Sequence, residues 1–592
     1  TWNCGTPTKL AAGNILTGLT IDDFVAGEGG IEKVILHIPA YEEGFLPNFR
    51  TGDIVMLYER ESEEDNATNR QVIRGSLEAL EATRMVIVLK NKQRNTIVFN
   101  TASHYAIEHD FMDASYGHLF RGLYTLLTTP THRRELLLCQ RQPETDANVT
   151  LTGTYLNPQI NDIVLRAKQA KDYFLLVGPP GTGKTSVALR SMVEEFHATP
   201  TNQILLLSYT NRAVDEICEM LESITPALPY LRIGGELSCE ERFRPHLLRN
   251  VMQPCNKRQE VLQSLNGIRI VVGTVSSISG HPELFDLKQF DVAIIDEASQ
   301  ILEPQILSIL CAHQGDTCAV KKFVLIGDHK QLPAVVLQRT EESQVTSEAL
   351  HTIGLTDCRN SLFERLYSLQ SANGNIHAML HRQGRMHPAI SAFANQQFYA
   401  GKLDIVPVAH QQAPLEWKHY DAHDADECLI ATRRISFIGT PYPPAEDSNK
   451  INRHEAHIAA RLVKAIYNLC QKNGLPFDAA RRIGIIVPFR NQISMIANEL
   501  ATLGIKGTEA ITIDTVERYQ GSQRDIIIYS TTVSQRYQLD ILSVTCQADG
   551  LTIDRKLNVA LTRARKQLFI TGNAHLLRHS DIYRSLIDTL EV

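Results

Sequence analysis

One stretch constrains this chain more than any other: "VGPPGTGKTS", Val177 to Ser186. It follows the apolar run "YFLLVG" and opens a helical pattern, the strand, loop and helix order in which a glycine-rich turn grips phosphate. The expected nucleotide cradle is Gly178, Pro179, Pro180, Gly181, Thr182, Gly183, Lys184 and Thr185, with Ser186 adjoining. Glycines let backbone N–H groups turn inward, and the helix N-terminus favours anionic charge. Lys184 reaches the outer phosphates and the Thr185 hydroxyl ligates Mg²⁺. Such a loop names the fuel and leaves the machine open.

The rhythm of the chain supplies the frame. At 592 residues there is room for several cores, about four domains at roughly 150 residues each. Residues 1–50 read as a leader. From Asp53 short β-like runs, "DIVMLYER", "RMVIVLK" and "TIVFN", alternate with polar turns, and "GHLFRGLYTLLTT" and "RRELLLC" have helical spacing. A small β-barrel with helical arms is expected over residues 51–150. Buried apolar strands then alternate with amphipathic helices: "YFLLVG", "ILLLSYT", "IRIVVGT", "DVAIID" and "KKFVLIGD", and later "ISFIG", "IGIIVPF", "ITIDTV", "DIIIYSTT" and "QLFITG". This is the pattern of parallel sheets covered on both faces. Two tandem α/β domains are expected, over 151–358 and 359–592, with a helical insertion at about 214–267.

Composition narrows the partners. A net charge of −7 argues against coating a polyanion through bulk positive charge, so a nucleic acid must meet a local groove. The 11 cysteines are scattered singly without a C-x-x-C pair, which points to reduced thiols rather than a zinc ribbon. No apolar run is long enough to span a bilayer and the first residues do not resemble a secretory signal. The expected setting is intracellular, cytoplasmic or nucleoid in a bacterium and nuclear in a eukaryote, with no membrane partner. The chain opens on Thr1 without an initiator Met, so upstream domains stay open.

Further chemistry lies at strand ends. In "IIDEASQ", Asp296 is suited to hold Mg²⁺ and Glu297 to orient and deprotonate a water. Alone, an acidic pair there is as much a solvated turn; downstream of a phosphate loop it is a metal and base pair. In "GDHKQLPAVV", Gln331 is placed to sense the γ-phosphate or the water. The second domain adds "RQGRMHPAIS" with Arg385, "TVERYQGSQRD" with Gln520 and Gly521, and "LNVALTRAR" with Arg563 and Arg565. An arginine across a cleft from the γ-phosphate couples hydrolysis to domain closure. Any one of these arginines alone is an ordinary surface ion pair; their order together is the signal. "NRHEAHIAA" is not a zinc-protease helix, because His454 and His457 are three apart rather than four.

These blocks, together with "SYTNRAVDEI", "VVGTVSS" and "VPFRNQI", resemble the superfamily 1 helicases over about residues 150–575. The likeness is to the branch that includes the nonsense-mediated-decay helicase and the DNA replication nuclease-helicase, and "GHPELFDLKQFDVAIIDEASQILEP" and "NSLFERL" are most similar to the motor portion of the latter. The resemblance implies two RecA-like P-loop NTPase domains, ATP and Mg²⁺, and 5′-to-3′ movement of a monomeric motor on single-stranded DNA. It implies that Gln159 in "LNPQ" reads the adenine edge, and that Tyr209, Thr210, Asn211, Thr274, Pro488 and Thr515 line a strand channel. RNA remodelling by the same branch, and a nucleotide-switched clamp without travel, are the alternatives. Gly384 stands where the family usually has an aromatic that stacks on the base, which puts selectivity for ATP in question. The relatives' acidic nuclease core and four-cysteine cluster have no counterpart, only Cys4 lying in the leader, so a nuclease would come from a missing domain or a partner chain.

Overall fold

The computed structural model describes residues 5–591 apart from 12, 28, 42–46, 50, 82, 111–113, 337 and 443–449. Cys4 therefore lies outside the described residues. The chain divides into two compact units, one made of residues up to Gly117 with Gly235–Glu240, the other of His118–Gly234 and everything from Glu241 onward.

The first unit holds a closed antiparallel barrel of β1 (Ile15–Gly27), β2 (Gly30–His37), β3 (Ile54–Glu59), β4 (Ile73–Leu80), β5 (Arg84–Gln93) and β6 (Tyr105–His109), in the order β1-β2-β5-β4-β3-β6. Leu16, Leu19, Leu36, Leu57, Leu77 and Ile87 fill its interior. The barrel thus claims β1 and β2 from the segment read as a leader. In β1 a register shift between Ile21 and Asp23 leaves Asp22 and Asp23 both exposed, so the period of two that marks a strand is broken. "TIVFN" is a correction too: Thr96–Val98 forms a 3₁₀ turn, and the closing strand is Tyr105–His109.

Helix Ala114–Thr128, which starts in the first unit and runs into the second, and helix Thr131–Leu137 form the expected arm. The first α/β domain is built on a seven-stranded sheet of β7 (Tyr173–Val177), β8 (Ile204–Ser208), β9 (Tyr230–Ile233), β10 (Ile270–Thr274), β11 (Phe290–Ile295), β14 (Val320–Gly327) and β15 (His377–Met379), with a short ribbon of β12 (His313–Gln314) and β13 (Thr317–Cys318) beside it. The order is β15-β7-β14-β11-β8-β10-β9, and every pairing is parallel. The phosphate loop and the acidic pair follow β7 and β11, so both emerge at the carboxyl edge, where open α/β sheets bind ligands.

Two expected boundaries move. The stretch at 214–267 is not wholly an insertion: helix Asn211–Ser223 and β9 belong to the domain, and short helices begin only at Glu236. β9 escapes a hydrophobicity reading because Arg232 interrupts its four residues; the buried guanidinium is neutralised by Asp215. The domain also runs past 358. Helix Leu362–Gln370 buries Leu362, Phe363 and Leu366 in its core, and β15 pairs with β7. Arg365 anchors this extension, donating to Glu303 (2.8 Å), the Ile353 carbonyl (2.9 Å) and the Leu137 carbonyl (2.7 Å).

After β15 come a short pair, β16 (Arg382–Gln383) and β17 (Asp404–Ile405), and the second α/β sheet of β18 (Ile435–Gly439), β19 (Ile483–Val487), β20 (Thr512–Thr515), β21 (Arg524–Ser530) and β24 (Ala564–Gly572), parallel in the order β18-β24-β21-β19-β20. A hairpin of β22 (Thr545–Ala548) and β23 (Leu551–Asp554) turns on Asp549 and Gly550. Two RecA-like parallel-sheet domains and a barrel are therefore present as expected. No helix among the described residues is long and apolar enough to cross a membrane. Removing Arg365 strands a carboxylate, a buried carbonyl and a half-buried one, so Arg365→Ala should lower the stability of the first α/β domain by about 3–5 kcal/mol in urea unfolding.

Candidate nucleotide-binding cleft

The loop after β7 owes its shape to its glycines. Gly181 and Gly183 have φ of +74° and +79°, conformations open to glycine and costly to other residues. Gly181 is also a point of close approach: a Cβ there would lie 2.5 Å from Cβ of Arg385, and the Gly181 carbonyl accepts from N–H of Gly384 at 2.9 Å. Thr182 Oγ1 donates to the Pro179 carbonyl (2.7 Å), closing the turn. The helix then starts at Lys184 with a wide π-type turn through Leu189.

Across the loop stands the acidic pair. Asp296, 2% exposed, accepts from Thr185 Oγ1 at 2.7 Å, which brings together the two oxygen donors expected to hold Mg²⁺. Glu297 has φ of +53°, a strained setting for a residue other than glycine, and accepts from Gln300 Nε2 at 2.9 Å. Its other oxygen lies 3.0 Å from Lys184 Nζ. Burial works against the Lys184 charge, but the carboxylates of Glu297, Asp296 and Asp328 outweigh it and hold the ammonium above its usual range. Burial would likewise raise Glu297, and Lys184 overrides it, keeping this carboxyl ionised; Asp296 is pushed up by burial and by Glu297. The lysine expected on phosphate is thus held on the residue expected to be the base.

The second domain closes the other wall. Arg385 Nη1 reaches the Thr562 carbonyl (3.3 Å), and burial brings its guanidinium down to about 10. Arg563, 1% exposed, donates to the Val559 carbonyl (3.0 Å) and to Gln331 Oε1 (3.2 Å); burial, then Arg385, brings it to about 9. Both remain cations at neutral pH. Gln331 in turn donates to Asp328 at 2.7 Å.

Gln159, the phosphate loop, Glu297, Gln331, Arg385, Gly521, Arg563 and Arg565 all line one cleft of about 960 Å³. Asp296 sits just behind it. The residues expected on a strand channel do not line this cleft. They gather instead at the carboxyl edges of β8, β10, β19 and β20: Thr210 and Asn211 are exposed, Tyr209, Pro488 and Thr515 half-buried. Thr274 reaches the same edge but is buried, its hydroxyl capping Ser277 N–H at 3.0 Å.

Several partners carried no signal in the sequence. Asp328, fully buried, accepts from Tyr399 Oη at 2.7 Å, and Asn558 Nδ2 donates to the Lys330 carbonyl at 2.7 Å. At the hairpin turn, Asp549 pairs with Lys330 (2.8 Å) and His329 (3.2 Å). Glu216, half-buried on helix Asn211–Ser223, faces the cleft, where burial raises its carboxyl. Glu455, near the histidines of the discarded zinc pattern, is fully buried and accepts from Ser530 Oγ at 2.7 Å, while His454 and His457 are exposed.

Comparison with known proteins agrees with this geometry. Family models described as "AAA domain" match residues 155–260 and 248–339, and residues 358–575. The chain is 31% identical over 443 residues to the DNA replication ATP-dependent helicase/nuclease JHS1 of Arabidopsis thaliana, covering 74% of this chain and 30% of that protein. It is 31% identical over 452 residues to the DNA replication ATP-dependent helicase/nuclease DNA2 of Xenopus laevis (74% and 39%) and 29% over 438 residues to that of Homo sapiens (70% and 37%). The chain thus spans roughly a third of the length of these relatives. With two RecA-like sheets, a shared nucleotide cleft and these matches, the chain carries a superfamily 1 helicase motor that is similar, over about three quarters of the chain, to the DNA replication helicase/nucleases.

Proposed function

We propose that this chain is an ATP-driven motor that moves 5′ to 3′ on single-stranded DNA and separates the duplex ahead of it. One observation carries the reading: Arg385 and Arg563 of the second domain converge on the phosphate loop and the Asp296–Glu297 pair of the first. A kinase-like site needs no second sheet; a motor needs two bodies that share one anion.

The triphosphate lies along the loop, where the backbone N–H groups and Lys184 face it. Thr185 and Asp296 offer hard oxygen donors 2.7 Å apart, a set that suits Mg²⁺, which when bound neutralises charge on the phosphate oxygens. As Lys184 leaves Glu297 for phosphate, that carboxylate is freed to take the proton of the attacking water. Gln331, tied to Asp328 on one side and Arg563 on the other, is placed to orient that water. Arg385 and Arg563 stabilise the charge that develops on the γ-phosphoryl group. Once hydrolysis divides that anion, the cations lose their shared partner and the domains part.

The grip on the strand falls to the carboxyl-edge residues Tyr209, Thr210, Asn211, Thr274, Pro488 and Thr515, which meet backbone and bases with little sequence preference. DNA as substrate rests on the likeness to the helicase/nuclease relatives, and the direction of travel on the resemblance of the motif blocks to the 5′-to-3′ branch. A nuclease, on the same polypeptide or a partner, and action as a monomer complete the reading.

Mg²⁺-dependent ATP hydrolysis measured with no polymer, with single-stranded DNA and with single-stranded RNA of matched sequence tests it. Stimulation of about tenfold or more by DNA alone is expected; equal stimulation by RNA would move the reading to an RNA remodeller, and indifference to both would sink the motor. Lys184→Ala should reduce turnover to background while the circular dichroism spectrum is kept. Glu297→Gln releases Lys184, so nucleotide should bind several-fold tighter in a titration while turnover drops by about 10²–10⁴. Arg563→Ala should slow hydrolysis by roughly 10³ or more with a far smaller change in nucleotide Kd.

A further inference from the structure

The cleft continues past the phosphate loop into a part that the steps above do not use, lined by the helix start at Leu156–Ile160 and by Leu380, Arg382 and Gly384. Its walls there are aliphatic, from Leu156, Ile160, Leu380 and Val406, as a base-binding slot requires. The Gln159 amide lines it, its Nε2 donating to the Met379 carbonyl at 3.3 Å. Among the described residues no Phe, Tyr or Trp lines the cleft, and its one ring, His410, is held through Nε2 on the Arg385 carbonyl at 2.8 Å.

At β16 the side chains alternate. Gln383 is fully buried, whereas Arg382 and Gly384, on either side of it, both line the cleft. Arg382 is exposed, and among the described residues its guanidinium makes no ion pair or hydrogen bond, not even with Asp404, its register partner on β17. Gly384 leaves room beside it: a Cβ there would meet only Val406, at an ordinary contact distance of 3.7 Å.

A guanidinium is planar and stacks on aromatic faces, and every nucleobase presents one. With Nε2 on the Met379 carbonyl, the Gln159 amide still offers its second N–H and its Oε1, one donor and one acceptor, so it suits more than one base edge. We infer that Arg382, in the room left by Gly384, is the platform for the nucleobase of the bound nucleoside triphosphate. It grips a face and reads no edge, so ATP, GTP, CTP and UTP bind alike. The inference rests on the nucleotide cleft of the preceding section and concerns binding, not the hydrolytic step.

Calorimetric titration of the whole chain tests it, with the β,γ-imido analogues of the four nucleotides and with inorganic tripolyphosphate. The four Kd values should lie within about fivefold of one another. Arg382→Ala should weaken all four by roughly tenfold and leave tripolyphosphate unmoved. Arg382→Lys keeps the charge without the plane and should not restore binding. A preference for the ATP analogue above about thirtyfold overturns the inference, as does a matching loss of tripolyphosphate, which would place Arg382 on phosphate. Either result leaves the motor standing, whereas normal nucleotide binding without polymer-stimulated turnover removes the motor and leaves Arg382 in place.

Discussion

The arrangement of this chain turns on six charges largely withdrawn from solvent: the carboxylates of Asp296, Glu297 and Asp328 and the cations of Lys184, Arg385 and Arg563. An ion removed from water without a partner costs several kcal/mol. The carboxylates all belong to the first α/β domain and two of the three cations to the second. Neither domain balances its own charge here, so the closed cleft is the state in which each settles the other's. A triphosphate adds anion to this balance and its cleavage divides that anion, which makes the cleft sensitive to the chemistry within it.

The loop Asp328–Gln331 passes that sensitivity on. Each of its four residues is held by the second domain: Asp328 by Tyr399, His329 and Lys330 by Asp549, Gln331 by Arg563. Movement at the γ-phosphate end therefore reaches helix Pro388–Tyr399 and the β22–β23 hairpin through direct bonds. Gly181 makes the same joint from the other side, because a side chain there would keep Arg385 from the phosphate loop. A glycine whose usual role is to admit phosphate thus also admits the neighbouring domain.

Much of this was legible along the chain because fully buried parallel strands are continuous apolar runs. β7, β8, β10, β11 and β14 announce themselves in that way, as do the strands of the second sheet. Strands that depart from the rule were lost: β1 through its irregular register, β9 through a central arginine that burial tolerates only beside Asp215, and β15 because three residues are too few to show a period. The phosphate loop, the acidic pair and the cleft arginines were legible because their chemistry depends on residue type and order. Tyr399, Asn558 and Asp549 were not, since each takes its role from a neighbour that folding brings from elsewhere.

The division follows the range of the forces involved. Residue order alone determined the nucleotide loop, the two parallel sheets and the kinds of groups available to the cleft, because backbone conformation, strand burial and phosphate contact are set within a few consecutive residues. Tertiary structure decided which charges meet: that Lys184 rests on Glu297 and that Gln331 bridges Asp328 and Arg563. It also decided that Val406, from the β17 side, walls the room beside Gly384. Those pairings span up to a few hundred residues of chain, and only packing brings such groups within the few ångströms over which hydrogen bonds and buried charges act.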